Sequence, residues 1–263
     1  LLEEGNTIPF IARYRKEMTD SLDDAALRDL SDRLEYLRNL QKRREEVIRS
    51  ITEQEKLTPE LETAIQAAAT LAEVEDLYRP YKPKRRTRGS IAREKGLEPL
   101  AAAIRVQNTL QEPLSMAAEY VNPEKGVETA EDALSGAMDI IAEDISDDGE
   151  IRKALRLLIH RAAVVTATGD STENTTYKMY YDFKEPVGRI APHRVLAINR
   201  GEKEGFLKTA IVLEEEKALE AIRRKTVIAN NACGRAVMEA AADSWKRLIA
   251  PSMENETFRE LFE

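Results

Sequence analysis

The chain has 263 residues, 42% apolar and 33% charged, with a formal net charge of −8. That is apolar material for one or two real cores, and an aromatic content of only 5% with recurrent Ala, Leu, Glu and Arg favours helices over sheets. A single cysteine, Cys233, excludes a disulfide framework within the chain and fits a reducing, cytoplasmic compartment, and no apolar run approaches the ~20 residues of a membrane span.

Leu1 to Glu4 read as the end of a helix stopped at Gly5 or Asn6, so the chain is expected to be a piece of something larger. Ile8 to Glu17 follows, apolar first and basic second. It reads as an anchor packing Phe10 and Ile11 into the core, or as a second basic surface carrying Arg13, Arg15 and Lys16. Ser21 and Asp24 approximate a capping box, and a helix of roughly 30 residues follows, with the stripe Leu27, Leu30, Leu34, Leu37, Leu40, Val47, Ile48 and Ile51. Its first four leucines fit a heptad seam, which Gln41 and Arg44 interrupt. Thr58-Pro59 caps the next helix, and Thr70 with Glu73 caps another that ends near Tyr78.

The segment 77–99, LYRPYKPKRRTRGSIAREKGLEP, holds eight basic residues against two acidic ones on a chain that is acidic as a whole. A concentrated basic patch on an acidic chain is a directed feature. Arg85, Arg86, Arg88 and Arg93 are candidate phosphate contacts, Lys82, Lys84 and Lys95 support them, and Tyr81 offers a face for a base. The competing reading is a solvated linker kept soluble by its charges. Ile91-Ala92, the Gly96-Leu97 turn and Leu100, Ala101 and Ile104 have the spacing of a helix-turn-helix module near 84–105.

Residues 112–150 contain twelve carboxylates and one cation, Lys125; they balance the basic arm, repel nucleic acid from that side or, in a scaffold, dock a basic partner. Thr129 and Asp132 open a helix with the stripe Leu134, Met138, Ile141 and Ile145. Asp148-Gly149 starts another, expected to run to Gly169, and Tyr177, Tyr180, Tyr181 and Phe183 take helical spacing as a core cluster. Pro192 to Gly201 reads as a short helix stopped at Gly201. Leu207, Ile211 and Leu213 alternate as a strand, and the remainder is helical with a break at Pro251-Ser252.

The sequence lacks the phosphate-loop, HExxH, CxxC and GxSxG patterns, and His160 and His193 stand apart. A calcium loop at Asp144 fails because its twelfth position is Leu155. No catalytic residue, metal site or cofactor is expected.

Thr7 to Glu17, Leu34 to Leu37, Glu75 to Tyr78, Pro80 to Arg88, Ile91 to Leu100, His193 to Gly201 and Arg247 to Ser252 together resemble the bacterial Tex family of transcription accessory proteins, in register across nearly the whole chain. The resemblance implies the helical N-terminal region of such a protein, without the RNase-H-like (YqgF), helix-hairpin-helix and OB-fold domains into which the family continues. It also implies a helix-turn-helix module, in agreement with the reading of Ile91 to Ile104. Where the family commonly has glycines after the Arg-Lys-Glu-x-Thr segment, this chain has Asp20-Ser21. The expected fold is mainly α: a multi-helix array with a long central helix, a helix-turn-helix-like module and at most one small β element. Its expected divisions are 1–183 and a helical extension over 184–263. Two functions are open. One is a non-catalytic nucleic-acid-binding and scaffold region of a transcription accessory factor; the other is a protein scaffold docking RNA polymerase or another transcription factor.

Overall fold

The computed structural model describes residues 1, 4–83, 86–170 and 175–262. The chain forms two compact units, Leu1–Lys82 and Pro83–Glu263.

The first unit is organised by one long helix. α1 (Ile8–Tyr14) buries Ile11, whereas Phe10 is 39% exposed and stacks obliquely on Tyr14 instead of entering the core. The turn after it places Asp20 and Ser21 at φ of 50° and 59°, the left-handed conformation a glycine would favour. α2 (Asp24–Glu53) is capped by Asp23, whose carboxylate accepts from the Ala26 amide at 2.8 Å, so the cap lies two residues beyond Ser21. Of the four heptad leucines only Leu27 is buried, while Leu30 and Leu37 are 54% and 44% exposed. The core forms lower down, where Leu40, Val47 and Ile51 meet Ile65, Ala68, Val74 and Tyr78 from α3 (Pro59–Ala67) and α4 (Leu71–Tyr78). Thr58 and Thr70 cap these helices as their spacing predicts.

The second unit begins with α5 (Arg88–Glu94) and α6 (Glu98–Val106), joined at Gly96, whose φ of 83° a side chain would resist. α7 (Pro113–Ala117) leads to α8 (Ala130–Asp147), capped reciprocally by Thr129 and Asp132. α9 (Gly149–Ala162) follows, and here the expected helix stops seven residues early. Ala163 turns extended and β1 (Val164–Gly169) begins, because Val164-Val165-Thr166-Ala167-Thr168 alternates half-buried and buried positions with β-branched side chains. β1 is the centre of a three-stranded sheet. It pairs antiparallel with β2 (Asp182–Pro186), Thr168 opposite Asp182, and with β3 (Leu207–Val212), Gly169 opposite Leu207. The four aromatics therefore share no helix: Tyr180 ends a 3₁₀ turn, Phe183 lies in β2, and their rings meet edge to face at 5.4 Å.

α10 (Pro192–Lys203) continues through Gly201, which is buried and packed so closely that a Cβ there would strike Leu207 and Tyr177. α11 (Glu215–Thr226), α12 (Ala232–Ser244) and α13 (Ala250–Phe262) complete the unit. Pro251 does not break the last of these. A π turn over Trp245–Ile249 precedes it and widens the backbone where a proline ring would otherwise collide with the carbonyl four residues back. The core of this unit gathers Leu100, Ile104, Ile140, Ile141, Leu155 and Trp245, among others, and holds the buried Cys233. The fold is mainly α with one small sheet.

Candidate nucleic-acid interface

The basic segment spans the sequence where one unit gives way to the next, and each part is held by its own unit. In the first unit, Arg43 lies over the Tyr78 ring at 5.4 Å and bonds Glu75 at 2.6 Å, while Ser50 shares a 3.0 Å hydrogen bond with the Tyr78 hydroxyl. Gln54 donates to the Tyr81 carbonyl at 2.9 Å. Tyr81 is thus half-buried against the α2–α4 core, and Lys82 is exposed. Arg13, Arg15 and Lys16 are exposed on the same unit.

Lys84 and Arg85 lie outside the described residues. In the second unit, Thr87 and Ser90 form a reciprocal cap that starts α5, and Arg86 and Arg88 flank it, both exposed. Arg86 makes one long pair, 3.5 Å to Glu94, with both side chains well exposed. Such a pair contributes about 0–1 kcal/mol and leaves the guanidinium available.

Arg93 is held differently. It meets Asp144 at 2.6 Å, Glu143 at 3.4 Å and Glu98 at 3.6 Å. Glu143 is buried on α8 and also accepts from the Gly89 amide at 3.0 Å; a Cβ on Gly89 would come within 2.5 Å of that carboxyl, so the glycine allows the close approach of α5 to α8. Asp144 also takes Arg105 at 2.9 Å. Burial pushes the Asp144 carboxyl above its usual range, with Arg93 and Arg105 opposing the shift. Lys95 donates to the Gly126 carbonyl at 2.8 Å. The acidic helix thus turns part of its charge inward to balance the basic segment.

Arg247, on the π turn, joins this cluster, although the sequence offered it only as the start of a block resembling the family and not as a site residue. It meets Asp243 at 2.6 Å and Asp139 at 3.4 Å. The Arg88 charge acts on the same two carboxyls. Asp139 is raised by burial, against the pull of Arg247 and Arg88, whereas the Arg247 hydrogen bond lowers Asp243. No group of three metal-ligating side chains occurs among the described residues. Burial, ahead of the nearby Glu112, raises the Cys233 thiol, which makes it a poor nucleophile.

These features define a mainly helical protein in which a basic segment is partly paired with the carboxylates of one helix and partly left exposed at Arg86 and Arg88. A model of the Tex-like protein N-terminal domain matches residues 1–52 and one of the Tex central region matches residues 108–263; the chain belongs to the Tex family. It is 46% identical to the uncharacterized protein YdcI of Bacillus subtilis, over 100% of this chain and 37% of that protein. It is 43% identical to the transcriptional accessory protein Tex of Neisseria gonorrhoeae, over 80% of this chain and 28% of the relative. The human S1 RNA-binding domain-containing protein 1 shares 30% identity over 95% of this chain and 27% of its own length. The chain thus spans about a third of the relatives it matches. No helix among the described residues is long and apolar enough to cross a membrane.

Proposed function

We propose that this region is a non-catalytic nucleic-acid-binding and scaffold part of a transcription accessory factor acting in the cytoplasm. Arg86 and Arg88 meet phosphates of RNA or DNA, Lys82, Lys84, Arg85 and Lys95 add positive charge along the same stretch of sequence, and α5–Gly96–α6 serves as the helix-turn-helix-like support. The observation that carries this reading is the division of labour within the segment. Arg93 is committed to three carboxylates, while Arg86 and Arg88 remain exposed around the cap of α5. Relatives named for transcription and for an S1 RNA-binding domain point the same way. Arg93 acts as the post that ties the segment to α8 and is not itself a contact. Tyr81 stacks on a base only through the part of its ring that its own core leaves open.

The test is the affinity of the whole chain for a labelled single-stranded RNA and a labelled DNA duplex over a range of KCl concentrations. R86A/R88A is expected to flatten the log–log salt slope on the duplex by about 1.8, from ~0.9 per phosphate contact, and to weaken all sequences alike with little change in melting temperature. An unchanged slope overturns the reading. The second reading, a scaffold docking RNA polymerase or another transcription factor without direct nucleic-acid contact, is favoured by one observation. Glu119, Glu124, Glu128 and Glu131 are exposed ahead of and at the start of α8, on the side of the sequence away from the inward-facing Glu143 and Asp144.

A further inference from the structure

Two loops more than a hundred residues apart in sequence are joined by side-chain hydrogen bonds in the second unit. Gln107 closes α6 in the left-handed conformation, at φ of 54°, and is 3% exposed. Its amide oxygen accepts from the Ile228 and Ala229 amides at 3.0 and 3.1 Å, and its amide nitrogen donates to the Thr226 carbonyl at 2.8 Å. Asn231 returns the contact, donating to the carbonyls of Gln107 at 2.8 Å and Thr109 at 3.1 Å while its own oxygen caps α12. Gly234 has no room for a Cβ, which would collide with the Ala229 carbonyl. A left-handed glutamine held by so many bonds is a strained element that its surroundings enforce, and such elements mark sites where rigidity serves binding.

This rigid pair of loops presents apolar side chains to solvent. Leu110 is 93% exposed, Ile228 74% and Val106 51%. Segments 105–114 and 223–235, which carry them, hold five cations (Arg105, Arg223, Arg224, Lys225, Arg235) and one carboxylate, Glu112, on a chain of net charge −8. Arg105 pairs with Asp144 at 2.9 Å and Arg223 and Arg224 with Glu220 at 2.7 and 2.8 Å, whereas the ion pairs of Lys225 and Arg235 are long, 3.9 and 4.0 Å, between exposed groups. Aliphatic anchors within a cationic rim fit a partner that brings apolar side chains flanked by carboxylates. The anchors carry no aromatic face for a base, which separates this surface from one built for single-stranded nucleic acid.

We propose that the loop pair 106–111 and 226–231 is a docking site for an acidic, apolar protein segment, with Leu110 and Ile228 as its anchors and Lys225 and Arg235 as its charge complement. Preorganisation of the loops removes the ordering cost such a contact would otherwise carry.

The test uses the whole chain and a displayed library of random 12-residue peptides, selected on the wild type and counter-selected on L110D. Leu110 is so exposed that this variant is expected to keep its fold, which circular dichroism checks. Enriched peptides should combine at least two Leu, Ile or Phe with Asp or Glu. A synthetic copy of one should bind at least tenfold more weakly to L110D, and K225E/R235E should weaken it and remove its salt dependence. Failure to recover peptides that discriminate L110D overturns the proposal, as does recovery of basic peptides. Loss of RNA or duplex-DNA affinity in L110D overturns it in favour of a nucleic-acid surface. Self-association of the wild type that L110D abolishes overturns it in favour of a second copy.

Discussion

The guanidinium of Arg93 and the buried carboxylate of Glu143 lie 3.4 Å apart, although the two residues are fifty positions apart in the chain. Glu143 simultaneously accepts from the Gly89 amide, so one acid on α8 fixes both the first turn and the last turn of α5. The basic segment is therefore anchored from below, which leaves Arg86 and Arg88 at its accessible end.

Glu143→Ala is expected to destabilise the second unit by about 3 kcal/mol, because it strands a buried amide and leaves Arg93 with fewer partners. Glu143→Gln keeps an acceptor for Gly89 and should lose less. Urea denaturation measures both, and equal losses would place the contribution in packing and not in charge or hydrogen bonding.

The α9–α13 contact should set the acid limb of stability. Arg152, fully buried, bonds Glu256 at 2.7 Å, and Arg156 bonds the same carboxylate at 2.5 Å. Burial would raise the Glu256 carboxyl, but the two arginines outweigh it and the net shift is downward. A lowered native pKa stabilises the fold above the ordinary glutamate value of 4.5 and loses that contribution as the pH falls below it. Asp139 and Asp144, both raised, have the opposite sign, and their contribution is lost as pH rises through the raised value. Melting temperature against pH should therefore fall less steeply on the acid side in Glu256→Gln than in the wild type. That variant should also be about 2 kcal/mol less stable at neutral pH. A parallel acid limb would exclude Glu256 as its source.

Gln107→Ala removes the acceptor of two amides and the donor to two carbonyls, those of Thr226 and Arg105, with an expected loss of about 2–3 kcal/mol. Hydrogen exchange gives the sharper readout: the amides of Ile228 and Ala229 should lose protection while those of α8 keep theirs. Unchanged protection at both positions would mean that the loops are held by packing alone.

Ser21→Gly should stabilise the first unit by about 1 kcal/mol, since Ser21 sits at φ of 59° and a glycine would adopt that conformation without the Cβ clash. Asp20→Gly should gain less, because aspartate tolerates the left-handed region better than serine. Thermal denaturation of the two variants checks the order.

Much of the helical frame was legible because its signals are local. Thr58, Thr70 and Thr129 cap where their spacing says they should, and residues such as Leu100, Ile104, Ile141 and Leu155 are buried where 3.6-residue periodicity places them. β3 was read from its period of two, but β1 was missed. Its Val-Val-Thr-Ala-Thr run follows a strongly amphipathic helix without a break, and only pairing on both edges makes it the central strand. Gly201 and Pro251 misled for a related reason: a glycine under Tyr177 and a proline beyond a π turn are helix residues whose tolerance comes from their neighbours.

The candidate site divides along the same line. The concentration of charge in 77–99 is a property of the sequence, as is the chain's place in the Tex family. Which of those cations face solvent is not, because an arginine's availability depends on carboxylates brought to it by packing. Only the approach of α8 separates Arg93, paired three ways, from the exposed Arg86 and Arg88 a few residues earlier. Only the bonds of Gln107 and Asn231 join the loops that carry Leu110 and Ile228, since no periodicity connects segments more than a hundred residues apart. Local propensity and charge density are written in the order of residues, whereas ion pairing and exposure are set by whatever the fold places within a few ångströms.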